Sequence, residues 1–195
     1  MENDILLALD KEARKNNLDP AGVKAFAAAE TGGKGFAEDT GKILIQFEPA
    51  WFRKKAPYAP SGAWSLNGVE RQNKEWLAFN DAFAKNKDAA MQSTSIGLGQ
   101  IMGFHYQRLG YAGVGAMWDD AKKGIDRQVF QMVKFLMTDP MLKNALKPKP
   151  GGLTAEDFYT MASRYNGAGF EALAKKIGRE PYNLTIARNY KKYNI

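Results

Sequence analysis

Two glutamates stand where their carboxyl groups could carry chemistry, and the first of them is Glu30. It follows the nearly all-apolar run 21–29 and precedes the glycine pair 32–33. Burial beside such a run raises the pKa of a carboxyl group, and the negative end of a helix dipole acts in the same direction. A carboxylic acid that keeps its proton near neutral pH can act as a general acid. The alternative interpretation is an exposed acid in the last turn of a helix.

The second glutamate, Glu48, stands 18 positions after Glu30 and follows the β-prone segment KILIQF. Two carboxyl groups that flank one bond are the working parts of glycoside hydrolysis. One donates a proton, and the other activates water or stabilises positive charge. In the alternative interpretation, Glu48 is a capping or first-turn acid of the next helix. Asp39, between the two, is interpreted as a turn former.

The remaining composition excludes several kinds of site. The chain has no cysteine and one histidine, His105, which excludes thiolate zinc sites, cysteine nucleophiles and two-histidine zinc motifs. A Ser-His-Asp triad would depend on His105 alone. The glycines of SIGLGQIMGF lack the lysine and the spacing of a P-loop. Carboxylates are therefore the expected catalytic groups.

The elements that position the two glutamates are predicted near the start of the chain. Periodicity predicts an amphipathic helix over 2–16, and Asp19-Pro20 begins a second helix whose last turn holds Glu30. The β-prone pieces GFAED and KILIQF predict a small hairpin over 35–47. We expect this hairpin to bring Glu48 to the same cleft as Glu30.

Later segments are mostly helical. A helix is predicted over 69–86, with five residues near one face: Trp76, Leu77, Phe79, Asn80 and Phe83. The strongest period lies over 117–137, and a further helix begins after the N-cap Thr154 with Asp157 at the third position. In total we predict seven to nine helices and one hairpin, which is a mainly helical α+β fold.

Polar and aromatic residues elsewhere could contact a sugar. Gln100 lies in an apolar, glycine-relieved stretch, and a buried polar side chain needs a partner. Sugar hydroxyls, acetamido groups or backbone could supply that partner. A turn-rich loop over 56–68 is bracketed by aromatic residues that could stack on sugar rings or pack in the core, namely Trp51, Tyr58 and Trp64.

Four blocks in a fixed order resemble one known family. They are AAAETGGKGF, KILIQFEPAWF, STSIGLGQIMGFHY and ASRYNGAGF. Over about residues 24–191, the sequence resembles the single-domain N-acetylmuramidase family of phage endolysins, within the lysozyme-like superfamily. Two residues depart from the family pattern, which has a tryptophan in place of Ile96 and a basic residue in place of Pro49.

The resemblance implies a fold and a set of site residues. The implied fold is lysozyme-like, with a small β-hairpin lobe beside the catalytic cleft. Glu30 is implied as the general acid and Glu48 as a second carboxylate of the cleft. The residues implied as substrate contacts are Ser95, Gln100, Tyr165 and Asn166.

The resemblance also implies an activity. We expect hydrolysis of the β-1,4 bond between N-acetylmuramic acid and N-acetylglucosamine in bacterial peptidoglycan, which causes lysis of the host cell. This reaction is expected to need neither a metal nor an organic cofactor. One alternative is a lytic transglycosylase, in which one glutamate acts as acid and then base while the muramic 6-hydroxyl replaces water. The alternative from another class is a non-catalytic wall-binding or nucleic-acid-binding module driven by charge.

The net charge of +7 favours anionic partners. The predicted substrate is the glycan strand of peptidoglycan, and we expect a monomer that has no nucleic-acid partner. Contact with an anionic wall or outer-membrane surface is expected through the basic residues of the carboxyl-terminal segment. These are Arg188, Lys191 and Lys192, with Tyr190 and Tyr193 between and beside them.

One catalytic domain is expected over 1–195, with an amino-terminal helix over 1–19 and no separate wall-binding domain. The first residues, MENDILLALDKEARKNN, place acids before a short apolar run and include no small-residue cleavage site. No signal peptide is therefore predicted. The expected location is the host cytoplasm at synthesis and the cell wall after release through a membrane lesion.

Overall fold

The computed structural model describes residues 1–65 and 71–194. Helices make up 61% of the structure, which confirms the mainly helical α+β class. Eleven α-helices lie in the described residues: α1 (Asn3–Lys15), α2 (Pro20–Thr31), α3 (Pro49–Lys55), α4 (Gln72–Lys85), α5 (Lys87–Gln92), α6 (Val114–Ala121), α7 (Ile125–Met137), α8 (Pro140–Ala145), α9 (Ala155–Asn166), α10 (Phe170–Lys176) and α11 (Tyr182–Tyr193). The strands are β1 (Ile45–Phe47), β2 (Thr94–Ile96) and β3 (Ile101–Met102).

The helices outnumber the seven to nine that the sequence predicts. The prediction of a single helix over 117–137 is wrong, because α6 ends at Ala121 and α7 begins at Ile125. Gly124 lies between them with a φ of +152°, which no helix accommodates. The helices α5 and α8 have six residues each, too few for a helical period to be recognised.

The chain divides into two compact units. The first comprises Met1–Gly33 and Met132–Ile195, and the second comprises Lys34–Gln131. The first unit therefore holds α1, α2 and α8–α11, whereas the second holds the sheet and α3–α6. Helix α7 begins in the second unit and ends in the first. The single catalytic domain over 1–195 stays a prediction.

In the first unit, α2 packs against α1 and α11. Its start is set by Asp19, whose side chain accepts the N–H of Gly22 at 2.8 Å. Its end is set by Gly32, which takes the left-handed conformation at a φ of +66° that a helix C-cap requires. Both ends lie where the sequence predicts them, so Glu30 occupies the last turn of a helix that buries Val23 and Phe26.

In the second unit, three antiparallel strands form a sheet in the order β1-β2-β3. The pairing predicted within 35–47 is present but short: Phe36 and Ile43 form one antiparallel bridge, the Ala37 N–H donates to the Lys42 carbonyl at 2.8 Å, and the Leu44 N–H donates to the Gly35 carbonyl at 3.0 Å. The sequence does not predict the pairing of β1 with β2, in which Gln46 lies opposite Ser95. The strands β2 and β3 are not predicted from the sequence, because they have three and two residues and lie in one glycine-rich stretch. The turn between them uses positive φ angles at Gly97 (+67°) and Gln100 (+45°).

The turn-rich loop and the following helix are described in part. Residues 66–68 of the predicted loop and residues 69–70 of the predicted helix lie outside the described residues, and α4 begins at Gln72. No helix in the described ranges is both long and apolar enough to cross a membrane.

Candidate active site

Glu30 lies half-buried in the last turn of α2, with its carboxyl group bonded to Tyr182 of α11. The Tyr182 hydroxyl donates to Glu30 Oε1. Burial raises the pKa of Glu30 from the ordinary 4.5 to about 7, although the tyrosine hydrogen bond acts against this rise. At neutral pH, a large fraction of Glu30 therefore holds the proton that a general acid must donate.

Three aromatic rings pack together near the end of α2 that carries Glu30. Phe26 lies one turn before Glu30 on α2 and packs edge to face with two tyrosines. The centroid of its ring is 4.4 Å from that of Tyr165 and 6.2 Å from that of Tyr182. Burial and the Glu30 charge raise the pKa of Tyr182 well above its ordinary value, so Tyr182 stays a neutral donor. Because apolar rings cannot solvate a charge, they favour the protonated form of the acid.

The two predicted substrate contacts of the first unit lie at the end of α9. Tyr165 is half-buried, and its ring meets Phe26 and, at 5.4 Å, Phe135 edge to face. Asn166 is the last residue of α9 and is exposed. The structure thus brings Tyr165 into the aromatic surroundings of Glu30, whereas Asn166 lies on the surface of the same helix end.

Glu48 stands where β1 ends and α3 begins. It occupies the N-cap position of α3, but its side chain makes no capping hydrogen bond. Its Oε1 accepts instead from Gln46 Nε2 at 2.9 Å. Burial raises the pKa of this half-buried carboxyl group, and the bond from Gln46 acts in the opposite direction. The carboxyl group therefore remains available for a task other than capping the helix.

The other two predicted contacts, Ser95 and Gln100, are bonded to each other. The Ser95 hydroxyl donates to Gln100 Oε1 at 2.9 Å, and Gln100 Nε2 donates to the Gly97 carbonyl at 2.9 Å. Ser95 also faces Gln46 across the β1–β2 pair. Because the Gln46 side chain donates a hydrogen bond to Glu48, the structure brings Ser95, Gln100 and Glu48 into one part of the sheet. The partners that Gln100 needs are a hydroxyl and backbone.

A carboxyl group that the sequence analysis missed lies beside Glu48. Glu75 of α4 is only 3% exposed and accepts the Phe47 N–H at 2.8 Å. Burial raises the pKa of Glu75 to about 7, and the charge of Glu48 adds to the rise.

The residues predicted near one face of α4 do not share one environment, because Phe79 is buried whereas Leu77 is 50% exposed and Asn80 is exposed. The buried residues of α4 are Glu75, Ala78, Phe79 and Ala82. Their helical spacing was a usable signal, but a glutamate among them resembles a surface charge. Tyr182, the other missed residue, carries no such signal, since only the folded chain brings it to Glu30.

Comparisons with known proteins identify the family of this chain. The model of the N-acetylmuramidase family matches residues 19–194. The chain belongs to the N-acetylmuramidase family. A crystal structure of the Burkholderia AP3 phage endolysin superposes with a TM-score of 0.75 at 25% identity, covering 97% of this chain and 70% of that one. A comparison with curated protein sequences gave no match. Family and fold identify a peptidoglycan-hydrolysing endolysin.

The aromatic residues around the loop of this muramidase differ in exposure. Trp64 is 2% exposed and packs on Phe52 at 4.9 Å between centroids, so it belongs to the core. Tyr58 is 73% exposed, which leaves its ring accessible to a ligand. Trp51 is 40% exposed, and its ring lies 4.8 Å from that of Phe104 between centroids, with Lys54 Nζ 4.7 Å from the Trp51 centroid. Trp51 lies on α3, three residues after Glu48.

His105 and the side chains that could ligate a metal ion are further ionisable groups of the muramidase. Burial and the neighbouring Arg108 lower the pKa of His105 to about 4, so His105 is neutral at physiological pH. Across residues 1–65 and 71–194, no group of three or more His, Asp or Glu side chains is arranged to hold a metal ion.

Proposed function

We propose that this muramidase hydrolyses the β-1,4 bond between N-acetylmuramic acid and N-acetylglucosamine, with Glu30 as the general acid. The observation that carries the proposal is the environment of Glu30, where burial raises the carboxyl pKa to about 7. Cleavage of the bond needs a proton on the leaving oxygen as positive charge develops on the sugar ring. A carboxylic acid that is protonated near neutral pH supplies that proton.

Glu48 is the second carboxylate of the proposed mechanism. It activates a water molecule or stabilises the developing positive charge. Its side chain is bonded to Gln46 and does not cap α3, which supports a role at the substrate. The distance between the two carboxyl groups on the substrate-bound enzyme decides the stereochemistry: about 5–5.5 Å for a retaining enzyme and about 6.5–9.5 Å for an inverting one.

Four further residues are proposed to contact the glycan strand: Ser95, Gln100, Tyr165 and Asn166. Ser95 and Gln100 support the proposal through their place beside Gln46 and Glu48. Tyr165 supports it through its place in the aromatic surroundings of Glu30. The family match over 19–194 includes residues of both compact units, which supports one catalytic domain.

The products of digestion test this function. We expect purified peptidoglycan to release muropeptides with a reducing muramic end, because water captures the sugar centre. Mass spectrometry separates this product from the anhydro form of a transglycosylase, which is about 18 Da lighter because it lacks one water. Predominantly anhydro products would contradict the proposal, and so would the absence of any soluble product.

We also propose that the monomeric enzyme contacts anionic wall or outer-membrane surface through Lys191 and Lys192, and that it lyses the host after release through a membrane lesion. Both lysines are exposed in the last turn of α11. Arg188, the third cation of the predicted patch, is already paired with Glu180 at 2.9 Å. The two lysines therefore supply most of the free charge of this segment.

Sedimentation with purified walls tests the contact. Replacement of Lys191 and Lys192 by serine should weaken binding and flatten its dependence on salt, because exposed charges are screened within about 8–10 Å at physiological salt. The matched control replaces Lys143 and Lys147, two exposed lysines of the same unit, and should change binding less. Equal effects of the two pairs would reduce the contact to a general attraction by net charge.

A further inference from the structure

β1 is an edge strand whose outer side needs hydrogen-bonding partners. Glu48, just after β1, directs its N–H toward the β2 side, where it donates to the Ser93 carbonyl at 2.9 Å. Because the bonding direction alternates along an antiparallel strand, the N–H groups of Ile45 and Phe47 point the other way. Unpaired buried N–H groups are costly, so this outer side must be closed by another part of the protein.

Two side chains of α4 close it. The Gln72 amide accepts the Ile45 N–H at 3.0 Å and donates to the Ile45 carbonyl at 2.8 Å. One turn later, Glu75 accepts the Phe47 N–H at 2.8 Å. Two side chains of α4 thus take the hydrogen-bonding positions that a further strand would occupy. The second of them, Glu75, bonds Phe47, the residue that precedes Glu48.

The surroundings of Glu75 keep it a neutral acceptor at the pH where the acid form of Glu30 persists. It is 3% exposed, and the described residues give its carboxyl group no cation as partner. A buried, unpaired carboxylate is costly, so the protonated form is favoured. The neutral acid still offers a carbonyl oxygen to the Phe47 N–H.

We propose that Glu75 is a positioning residue for Glu48: by accepting the Phe47 N–H, it fixes the end of the strand from which Glu48 extends. The other side of Glu48 is already fixed by α3, since its carbonyl accepts the N–H groups of Trp51 and Phe52 at 3.0 and 3.1 Å. The bond from Phe47 to Glu75 completes the anchoring. This inference rests on the proposed function of Glu48.

Three variants of the full chain test the inference with soluble peptidoglycan fragments as substrate. Glu75→Leu removes the acceptor and should lower kcat by at least about tenfold with KM nearly unchanged, since small misplacement of a reacting group is costly. Glu75→Gln keeps an uncharged acceptor and should retain kcat within about threefold. Gln72→Leu, the matched control, removes the equivalent contact two strand residues earlier and should lower kcat by less than about threefold.

The double variant Glu48→Gln/Glu75→Leu shows whether the effect passes through Glu48. Loss of kcat from Glu75→Leu should nearly vanish in the Glu48→Gln background, as expected for coupled residues. If Glu75→Leu does not fold, Glu75→Asp withdraws the acceptor by one methylene and should still lower kcat. Folding is checked by circular dichroism for every variant.

Several results would overturn the positioning role. Equal losses of kcat in Glu75→Leu and Gln72→Leu would mean that Glu75 only satisfies the hydrogen bonds of the strand edge and does not position Glu48. If Glu75→Gln were as impaired as Glu75→Leu, the enzyme would depend on the carboxyl group of Glu75 itself and not on an oxygen that accepts the Phe47 N–H. Undiminished loss in the Glu48→Gln background, or full activity of Glu75→Asp when Glu75→Leu fails to fold, would also contradict it. These rates are independent of the products, so anhydro products would contradict hydrolysis alone.

Discussion

Glu30 and Glu48 carry the same chemical group in different surroundings. Glu30 ends a helix among aromatic rings and receives one hydroxyl hydrogen bond, from Tyr182. Glu48 begins a helix beside the sheet, where it receives an amide hydrogen bond from Gln46 and lies near the carboxyl group of Glu75. Burial raises the pKa of both, but Glu30 reaches about 7. The comparison teaches that the surroundings of a carboxyl group, more than its type, separate a proton donor from a charged partner.

The largest expected effect is on activity, and it should differ between the two glutamates. Glu30→Gln removes the transferable proton and should lower kcat/KM by about 10²–10⁴-fold. Glu48→Gln should also impair the enzyme severely, though by a smaller factor, because an amide can still hydrogen-bond a water molecule, whereas the amide in Glu30→Gln cannot transfer a proton. Release of soluble muropeptides from purified peptidoglycan measures both.

The control for this comparison is Glu38→Gln, which changes an exposed glutamate and should leave activity unchanged. All variants should still sediment with walls. A larger loss in Glu48→Gln than in Glu30→Gln would reverse the assignment of the acid. Full activity in Glu30→Gln would remove it altogether.

The second effect is on stability, and it should have the opposite sign to the effect on activity. The pKa of Glu30 is higher in the folded protein, at about 7, than the ordinary value of 4.5, so the folded state binds the proton more tightly. The contribution of Glu30 to stability is therefore greatest below pH 4.5 and is lost as the pH rises to about 7, by about 3 kcal/mol at most. Glu30→Gln removes this cost and should be more stable than the wild type at pH 8.

Thermal unfolding at pH 4 and pH 8 measures this difference. The gain in Tm of Glu30→Gln over the wild type should be small at pH 4 and should grow with pH. Glu38→Gln, on an exposed side chain, should show no such gain. A Glu30→Gln variant that is less stable than the wild type at both pH values would indicate that Glu30 is not held in a desolvated place.

The sequence predicts the surroundings of Glu30 better than those of Glu48, and the reason is physical. The ends of α2 depend on local signals, the side chain of Asp19 and the left-handed Gly32, which are visible in a single stretch. The pairing of β1 with β2 joins segments about fifty residues apart, and a strand of three residues carries too little pattern to identify its partner.

The two missed residues fail for different reasons. Tyr182 lies 152 positions from Glu30, so only tertiary packing reveals their contact. Glu75 has the spacing of a buried residue beside Ala78, Phe79 and Ala82, but its chemical type suggests a surface position. Buried carboxylates break the usual link between polarity and exposure. For that reason, the part of the site that departs from ordinary folding rules is the part least visible in the sequence.

The smallest expected effects concern the pH profile, and they should act on opposite limbs. Tyr182→Phe removes a hydrogen bond that lowers the pKa of Glu30, so the pKa should rise above about 7 and the alkaline limb of kcat/KM should move to higher pH. Gln46→Leu removes a hydrogen bond that lowers the pKa of Glu48. Since Glu48 acts in its charged form, the acidic limb should also move to higher pH, which narrows the active range where Tyr182→Phe widens it.

Each shift should be about one pH unit or less, because a single hydrogen bond to a charged group contributes about 1.5–3 kcal/mol and part of it is replaced by water. Initial rates at low substrate between pH 4 and pH 9 measure both limbs. The acidic limb should not move in Tyr182→Phe, and the alkaline limb should not move in Gln46→Leu. Movement of the same limb in both variants would mean that one group controls both sides of the profile. The separate roles assigned to Glu30 and Glu48 would then be wrong.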